Sequence, residues 1–298
     1  MMLYAGTSSV NYKLMHEAIC GRLVCALAPF GIEPNDFTGM LHTHRAVISG
    51  SFALYVFDRS SNWVPDNMDV YVPRGHMGRV IDRMRPHGYI PIHGLSKANP
   101  SQSYDHPIRR VTMLTNGICT IDIVESSTYS SVSPIFQFHL SAMMNYISST
   151  GFFSAYPTLT SWRCALINHI HYEDNSPRHN LVMCYLKYIN RGFDLQSSSK
   201  GWDDEEGRRY QCQHSFDCPH RIRTPFDPSS LFVSWRYSVS RIESFEDYYP
   251  QRCFDTQQAP SWCLGGHSCN GDEDREPLQA FVSLKAAGST FDGEMQSA

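Results

Sequence analysis

The stretch that decides the fold is Ala46-Val-Ile-Ser-Gly-Ser-Phe-Ala-Leu-Tyr-Val-Phe57, followed closely by Asp66-Asn-Met-Asp-Val-Tyr-Val-Pro73. The pattern predicts a short buried strand, a Gly-Ser turn, one helix, a loop and a second strand that carries an acid. Gly50 lets a phosphate approach the backbone, and Ser51 can cap the helix and donate its hydroxyl. An acid on the neighbouring strand is suited to hold a divalent cation against the same phosphates.

The bulk composition is that of a folded protein. A chain of 298 residues can bury a sizeable core as one large domain or two modest ones. The net charge of −4 lies in the tail, because residues 271–298 contain six acids and two bases. The rest of the chain has equal numbers of acidic and basic residues, so we expect no bulk nucleic-acid binding through counterion release.

The chain contains ten cysteines but shows no secretory leader and no uninterrupted apolar run of about 18 residues. We therefore expect an intracellular protein, cytoplasmic or nuclear, with no membrane partner. In that setting most cysteines should be reduced, and several should simply fill the core. The sequence indicates no oligomeric state.

Hydrophobic spacing predicts an N-terminal helix over residues 10–28, a short helix from Pro34, and an amphipathic helix over residues 75–87. Residues 88–92 should form an edge strand, because Pro91 cannot donate to a ladder. Residues 94–106 should be a loop.

Two β-rich runs, residues 108–114 and 118–125, flank Thr115-Asn-Gly117 and predict a hairpin. Asp122 lies inside the second run between apolar residues. An acid in such an apolar run needs a reason, although a hairpin strand often turns one face to water.

After residue 133 the pattern predicts helices over residues 136–146, 159–170 and 179–190, and a strand over residues 231–237. Residues 195–210 should be a loop or an insertion. Beyond about Thr256 the chain is polar, Gly-rich and acidic, which predicts disorder.

The strand, Gly-Ser turn, helix and two acid-bearing strands resemble the nucleotidyltransferase-fold superfamily. In that family's pattern a Gly-Ser pair is followed by Asp-x-Asp and later by a third Asp. Gly50 and Ser51 match the pair, Asp69 matches the second acid and Asp122 the third. Asn67 stands where the family has its first acid.

The chain also resembles an uncharacterised family of proteins from mushroom-forming fungi over roughly residues 35–195. The similar stretches are Ile48-Ser-Gly-Ser51, Asp69-Val-Tyr-Val72, Gly88-Tyr89, Tyr156-Pro-Thr-Leu-Thr160 and Lys187-Tyr-Ile-Asn-Arg-Gly-Phe193.

The resemblance implies an α/β (α+β) fold, with a nucleotidyltransferase-like mixed sheet and flanking helices followed by a helical second domain. The expected units are an N-terminal helix (1–30), the nucleotidyltransferase-like domain (31–130), a mainly helical domain with a loop insertion (131–255) and the acidic tail (256–298).

The function implied by the resemblance is binding of a nucleoside triphosphate and magnesium, with nucleotidyl transfer to a hydroxyl acceptor that the sequence does not identify. Asp69 and Asp122 would hold magnesium with weaker help from Asn67, and Gly50 and Ser51 would bind the triphosphate. Lys187 and Arg191, four apart on one helix face, would be further phosphate partners. The alternative is a catalytically inactive protein of the same fold that senses nucleotides or serves in interactions.

Cys212, His214, Cys218 and His220 are four candidate zinc ligands within nine residues, with Cys253 or Cys263 as ligands from elsewhere in the chain. Their spacing is looser than that of an ordinary zinc knuckle, so a plain buried turn at Cys218 is the competing interpretation. A second cluster, Cys263, His267 and Cys269, is a weaker candidate.

Overall fold

The computed structural model describes residues 9–92, 97–98, 107–173, 176–177, 179–202, 212–235, 259–267, 269 and 277–284. The α-helices within these ranges are α1 (Ser9–Leu27), α2 (Pro34–His44), α3 (Gly50–Phe57), α4 (Met77–Met84), α5 (Pro157–Ser161) and α6 (His179–Asn190). The first eight strands are β1 (Val47–Ser49), β2 (Asn67–Val72), β3 (Ile90–Pro91), β4 (Lys97–Ala98), β5 (Ile108–Thr115), β6 (Thr120–Ser126), β7 (Asn145–Ile147) and β8 (Gly151–Ser154). The later strands are β9 (Cys164–Leu166), β10 (Tyr172–Glu173), β11 (Ser176–Pro177), β12 (Asp194–Gln196), β13 (Leu231–Ser234), β14 (Pro260–Cys263) and β15 (Phe281–Leu284).

A nine-stranded mixed sheet organises the fold, with strand order β13-β8-β7-β1-β2-β6-β5-β3 and with β4 also paired to β5. Strand β2 runs parallel to β6 and antiparallel to β1. The other pairings within this sheet are antiparallel. The structure is therefore mixed α/β, as the sequence predicts.

The two faces of the sheet are covered differently. Helices α1 to α4 pack on one face, where their apolar side chains meet Ile48, Met68, Val70 and Ile123. On the other face Val47, Tyr71 and Val124 pack against residues from the second half of the chain, including Phe136 and Trp262. Because successive side chains of a strand alternate between faces, Asn67 and Asp69 lie on the same face as Tyr71, opposite α1 to α4.

Most of the predicted elements in the first half of the chain are confirmed. The N-terminal helix, the strand-turn-helix unit, the strand at Asp69, the amphipathic helix and the Asn-Gly hairpin all form. Within the predicted loop over residues 94–106, only β4 at residues 97–98 is among the described residues.

The predicted helices over residues 136–146 and 159–170 are wrong. The first range holds short 3-10 turns and the start of β7, and the second holds the end of α5 and strand β9. Most residues of the first range are buried, and a short, buried apolar run does not distinguish a helix from a strand. Helix α6 forms as predicted, and β13 forms within the predicted strand over residues 231–237. Strands β7, β8 and β13 join the central sheet, so a helical second domain is not confirmed.

The prediction that disorder begins near Thr256 is also wrong for part of that segment. Strands β14 and β15 pair as a hairpin, in which Trp262 is fully buried. The acids of residues 271–276 and 292–294 lie outside the described residues. The sequence pattern missed the hairpin because its apolar residues stand in a polar, Gly-rich background.

No single helix among the described residues is both long and apolar enough to cross a bilayer. Residues Tyr12–Phe30 and Pro34–His44 pass that test only when taken together, and they are bent by 94° at the break between them. Met15, Ile19, Leu23 and Leu27 of α1 are buried in the core.

The fully buried Arg223 ties the segment after residue 212 to the sheet, through its guanidinium and its backbone. Its guanidinium donates to the carbonyls of Phe216 and Ala155 and pairs with Asp227 at 2.5 Å. The backbone of Arg223 also exchanges two hydrogen bonds with Trp262.

Arg223→Met should lower the free energy of unfolding by about 3 kcal/mol, because it removes the donor to the carbonyls of Phe216 and Ala155 and the cation that pairs with Asp227. Urea denaturation followed by circular dichroism measures the change. Arg221→Met, at a partly exposed neighbour stacked on Phe216, is the matched control and should cost less than about 1 kcal/mol. Equal losses for the two variants would contradict the anchoring role of Arg223.

Candidate functional site

The polar residues of three adjacent strands meet in one row. Ser49 of β1 lies opposite Asp69 of β2, and Asp69 lies beside Asp122 of β6. Asn67, Asp69 and Asp122 are half-buried, whereas their sequence neighbours Met68, Val70, Ile121 and Ile123 are fully buried in the opposite face. The structure thus brings together the acids that the sequence singles out, on the face that α1 to α4 leave uncovered.

The turn between β1 and α3 lies directly against Asp69. Gly50 has a φ of +68°, and a Cβ built on it would lie 2.1 Å from Oδ2 of Asp69. Only glycine satisfies both constraints, because a side chain is strained at this φ and has no room beside the carboxylate. The Gly50 backbone therefore approaches the acid as closely as packing allows.

Ser51 does not cap α3, contrary to the sequence-based expectation. The helix begins at Gly50, its N-cap position is Ser49, and no side chain caps it. The buried Ser51 instead shares a side-chain hydrogen bond with Tyr188 of α6, while Ser49 Oγ donates to the carbonyl of Asn145. Ser51 thus links the start of α3 to α6.

Asn67 bridges the two acids. Its Nδ2 donates to Asp69 Oδ1 at 3.0 Å and to Asp122 Oδ2 at 2.9 Å. The amide is assigned this orientation by the hydrogen-bond network, since N–H groups satisfy both carboxylates where an amide oxygen would repel them. The two carboxylates therefore converge on one point, where they accept hydrogen bonds from a partially positive group.

The acid pair has a perturbed protonation equilibrium. Burial raises the pKa of Asp69 to about 7, and the neighbouring Asp122 carboxylate adds to that rise. Lys187 and the hydrogen bond from Asn67 act in the opposite direction. Near neutral pH Asp69 therefore loses its proton readily, and a cation can bind where the proton was.

Helix α6 supplies the facing wall of the site. Lys187 is exposed, and its positive charge lowers the pKa of Asp69. Arg191 stacks on the Trp63 ring at 3.7 Å and is hydrogen-bonded to Tyr188. The contacts of Arg191 are thus those of a packing residue.

Two further residues around the site are not predicted from the sequence. The buried Tyr71, two positions after Asp69, has its pKa raised by burial and by the nearby acids. His139 packs its ring 5.8 Å from that of Tyr188, and burial lowers its pKa to about 4, so its imidazole is neutral at pH 7. The sequence gives no signal for His139, because it lies in the segment that was predicted to be helical.

A second polar centre lies in the C-terminal half of the chain and could hold a metal ion such as zinc. One ligand atom from each of Cys212, Cys218, His220 and Cys269 lies within 4.8 Å of all the others. Nδ1 of His220 is 3.5 Å from the sulfur of Cys212 and 3.4 Å from that of Cys269. The sequence correctly singled out Cys212, Cys218 and His220 as members of this cluster.

The fourth member of the cluster was assigned wrongly. His214 is exposed and does not belong to the cluster. The fourth member is Cys269. Cys263 is buried nearby, but its sulfur donates to the carbonyl of Pro219. Cys253 lies outside the described residues. Cys269 therefore belongs with the first cluster rather than with a second one formed with Cys263 and His267.

Comparison of the chain with protein-family models, with curated proteins and with solved structures gives no match.

Gly50→Ala should lower the free energy of unfolding by about 2 to 4 kcal/mol, because it combines a strained φ with a clash against Asp69. Gly31→Ala is the matched control, since Gly31 has a φ of +66° and open space around its Cβ position. The control should cost only the strain, about 1 to 2 kcal/mol. Urea denaturation of both variants gives the comparison, and equal losses would show that the turn does not press on Asp69.

Asp69→Asn should change how stability depends on pH. Because the folded-state pKa of Asp69 lies above the unfolded value, the wild-type chain loses stability as the pH rises from about 4 to about 7. The variant has no such proton to lose. Its stability relative to wild type should therefore rise by about 2 to 3 kcal/mol between pH 5 and pH 8.

Thermal unfolding at both pH values with a chelator present tests this expectation. Asp66→Asn, at an exposed acid directly before β2, should show no such trend. A constant stability difference between Asp69→Asn and wild type would mean that Asp69 is already ionised at pH 5.

Proposed function

We propose that this chain is a nucleotidyltransferase-like protein that binds a nucleoside triphosphate together with one divalent cation, for which magnesium is the physiological choice. The observation that carries the proposal is the row of Ser49, Asp69 and Asp122 across three strands, with Gly50 in contact with Asp69. A tight turn at a helix N-terminus favours phosphate, and paired acids beside it favour the cation that accompanies phosphate.

The donor set fits one hard cation. Asp69 and Asp122 offer carboxylate oxygens that already converge on the Asn67 amide. Rotation of that amide would replace its N–H groups by Oδ1, a neutral oxygen ligand, while phosphate oxygens and water complete the coordination. The bound cation would neutralise the triphosphate and hold it against the turn.

The same donor set does not fit two cations. Two-metal nucleotidyl transfer uses three carboxylates, and Asn67 removes one of them. The proposed site therefore holds one cation.

Backbone N–H groups and one positively charged side chain are available to bind the phosphates. The N–H groups that begin α3 are directed away from the helix body, and none is capped by a side chain. Lys187 provides a positive charge on the opposite wall near Asp69. Lys187 is thus the better candidate for a phosphate contact, since the guanidinium of Arg191 is stacked on Trp63.

If the site is active, the acceptor hydroxyl attacks the α-phosphorus of the triphosphate. A bond from the acceptor oxygen to phosphorus forms, the bond from phosphorus to the bridging oxygen breaks, and pyrophosphate leaves. The hydroxyl proton passes to solvent water.

The second candidate function is nucleotide sensing or interaction without transfer, and Asn67 is the observation that favours it. The amide donates to both carboxylates and offsets part of their mutual repulsion, so it stabilises the acid pair without a metal ion.

Fluorescent ATP and GTP analogues, titrated with magnesium or with a chelator, test the binding. We expect binding that depends on magnesium and weakens by at least about tenfold in Asp69→Ala and Asp122→Ala, which each remove a charged ligand. Asp66→Ala is the matched control and should bind as wild type. Magnesium-independent binding, or none, would overturn the proposal.

Asn67→Asp separates the two candidate functions. The third carboxylate should tighten magnesium binding and, if the cleft is otherwise complete, should raise incorporation of label from an α-phosphate-labelled nucleoside triphosphate. Transfer by the wild-type chain supports the enzyme, whereas nucleotide binding without transfer in either form supports the sensing function.

A further inference from the structure

We infer that Cys212, Cys218, His220 and Cys269 bind a structural zinc ion that fastens the β14–β15 hairpin to the rest of the fold. This centre is independent of the proposed nucleotide site, since none of its ligands belongs to the acid pair or its walls.

The ligand chemistry selects zinc. Three thiols and one imidazole form a soft, four-member donor set, and zinc bound to four protein ligands has no open position for water or substrate. Such closed sites are structural. Three of the four residues are buried and Cys212 is half-buried, so the centre is shielded from solvent.

The hydrogen bonds around the cluster prepare it for a cation. Nε2 of His220 lies 3.0 Å from the carbonyl of Gly266, which fixes the proton on Nε2 and leaves the Nδ1 lone pair facing the sulfurs. The backbone N–H of Gln213 donates to Cys218 Sγ at 3.1 Å, a contact that favours the thiolate. A second set of partners therefore orients two of the four ligands.

The carbonyl of Gly266 reaches His220 because of a local backbone feature. Gly266 has a φ of +104°, and a Cβ on it would lie 2.6 Å from the ring of His169. Glycine is therefore required at the position that orients the histidine ligand.

The ion would join segments that are distant in sequence. Cys218 and Cys269 are 51 residues apart, and Cys269 follows the strand that carries Trp262. Trp262 stacks on Phe136 at 4.2 Å and donates to the hydroxyl of Tyr156 at 3.1 Å. A metal ion coordinated by both Cys218 and Cys269 closes the loop between them. It thereby holds the hairpin, and with it Trp262, against the sheet.

Disulfide formation is the competing explanation for the three cysteines. The sulfur of Cys218 lies 3.9 Å from those of both Cys212 and Cys269, well beyond the ~2.05 Å of a disulfide bond. Equal distances single out neither pair, and a disulfide leaves no role for the oriented His220. Coordination of one ion accounts for all four residues.

Metal analysis of the full chain, purified under reducing conditions, tests the inference. We expect about one zinc ion per chain in the wild-type protein and near zero in Cys212→Ser and Cys269→Ser. His214→Ala and Cys263→Ser are the matched controls, because these residues lie in the same segments without belonging to the cluster, and they should retain the ion.

A second measurement covers variants that fold poorly. His220→Cys replaces one ligand by another and should keep zinc, and cobalt-loaded wild-type protein should show the visible absorption of tetrahedral cobalt thiolate. Chelation should raise the hydrogen exchange of residues 260–266. Metal-free wild-type protein that takes up no cobalt, a mass consistent with a disulfide, or zinc loss in the control variants would each overturn the inference.

Discussion

The candidate cleft depends on the register between the parallel strands β2 and β6, which sets Asp69 beside Asp122. A shift of one residue in β2 would turn its acid toward the face that α1 to α4 cover. The buried side chains Met68, Val70 and Ile123 prevent that shift, because they fill the apolar core on the helix side. The like charges that result are held together by the Asn67 amide, which donates to both.

The alternation of β2 separates stability from chemistry. Met68 and Val70 belong to the core on the helix side, whereas Asp69 on the opposite face lies against Gly50, two positions before the buried Tyr71. Helix α6 matters to the cleft although it is distant in sequence, since Tyr188 bonds to Ser51 and Lys187 acts on Asp69. The cleft is therefore assembled from both halves of the chain around one strand.

The local pattern predicted the first half of the fold well because its signals are short-range. An Asn-Gly turn between β-rich runs, and a strand that ends in Gly50-Ser51, need no distant contact to be recognised. The failure at residues 136–146 has a physical cause. Side chains buried from every direction lose the alternation between core and solvent that reveals secondary structure.

The local pattern by itself determined the strand-turn-helix unit at Gly50-Ser51, the hairpin that carries Asp122, and three of the four Cys and His residues of the cluster. Each of these follows from neighbouring residues or from a short motif. Only the tertiary structure decided that Asn67 bridges the acids, that Arg191 stacks on Trp63, and that Cys269 replaces His214. Those outcomes depend on contacts between strands, or between segments more than 50 residues apart, which no local pattern encodes.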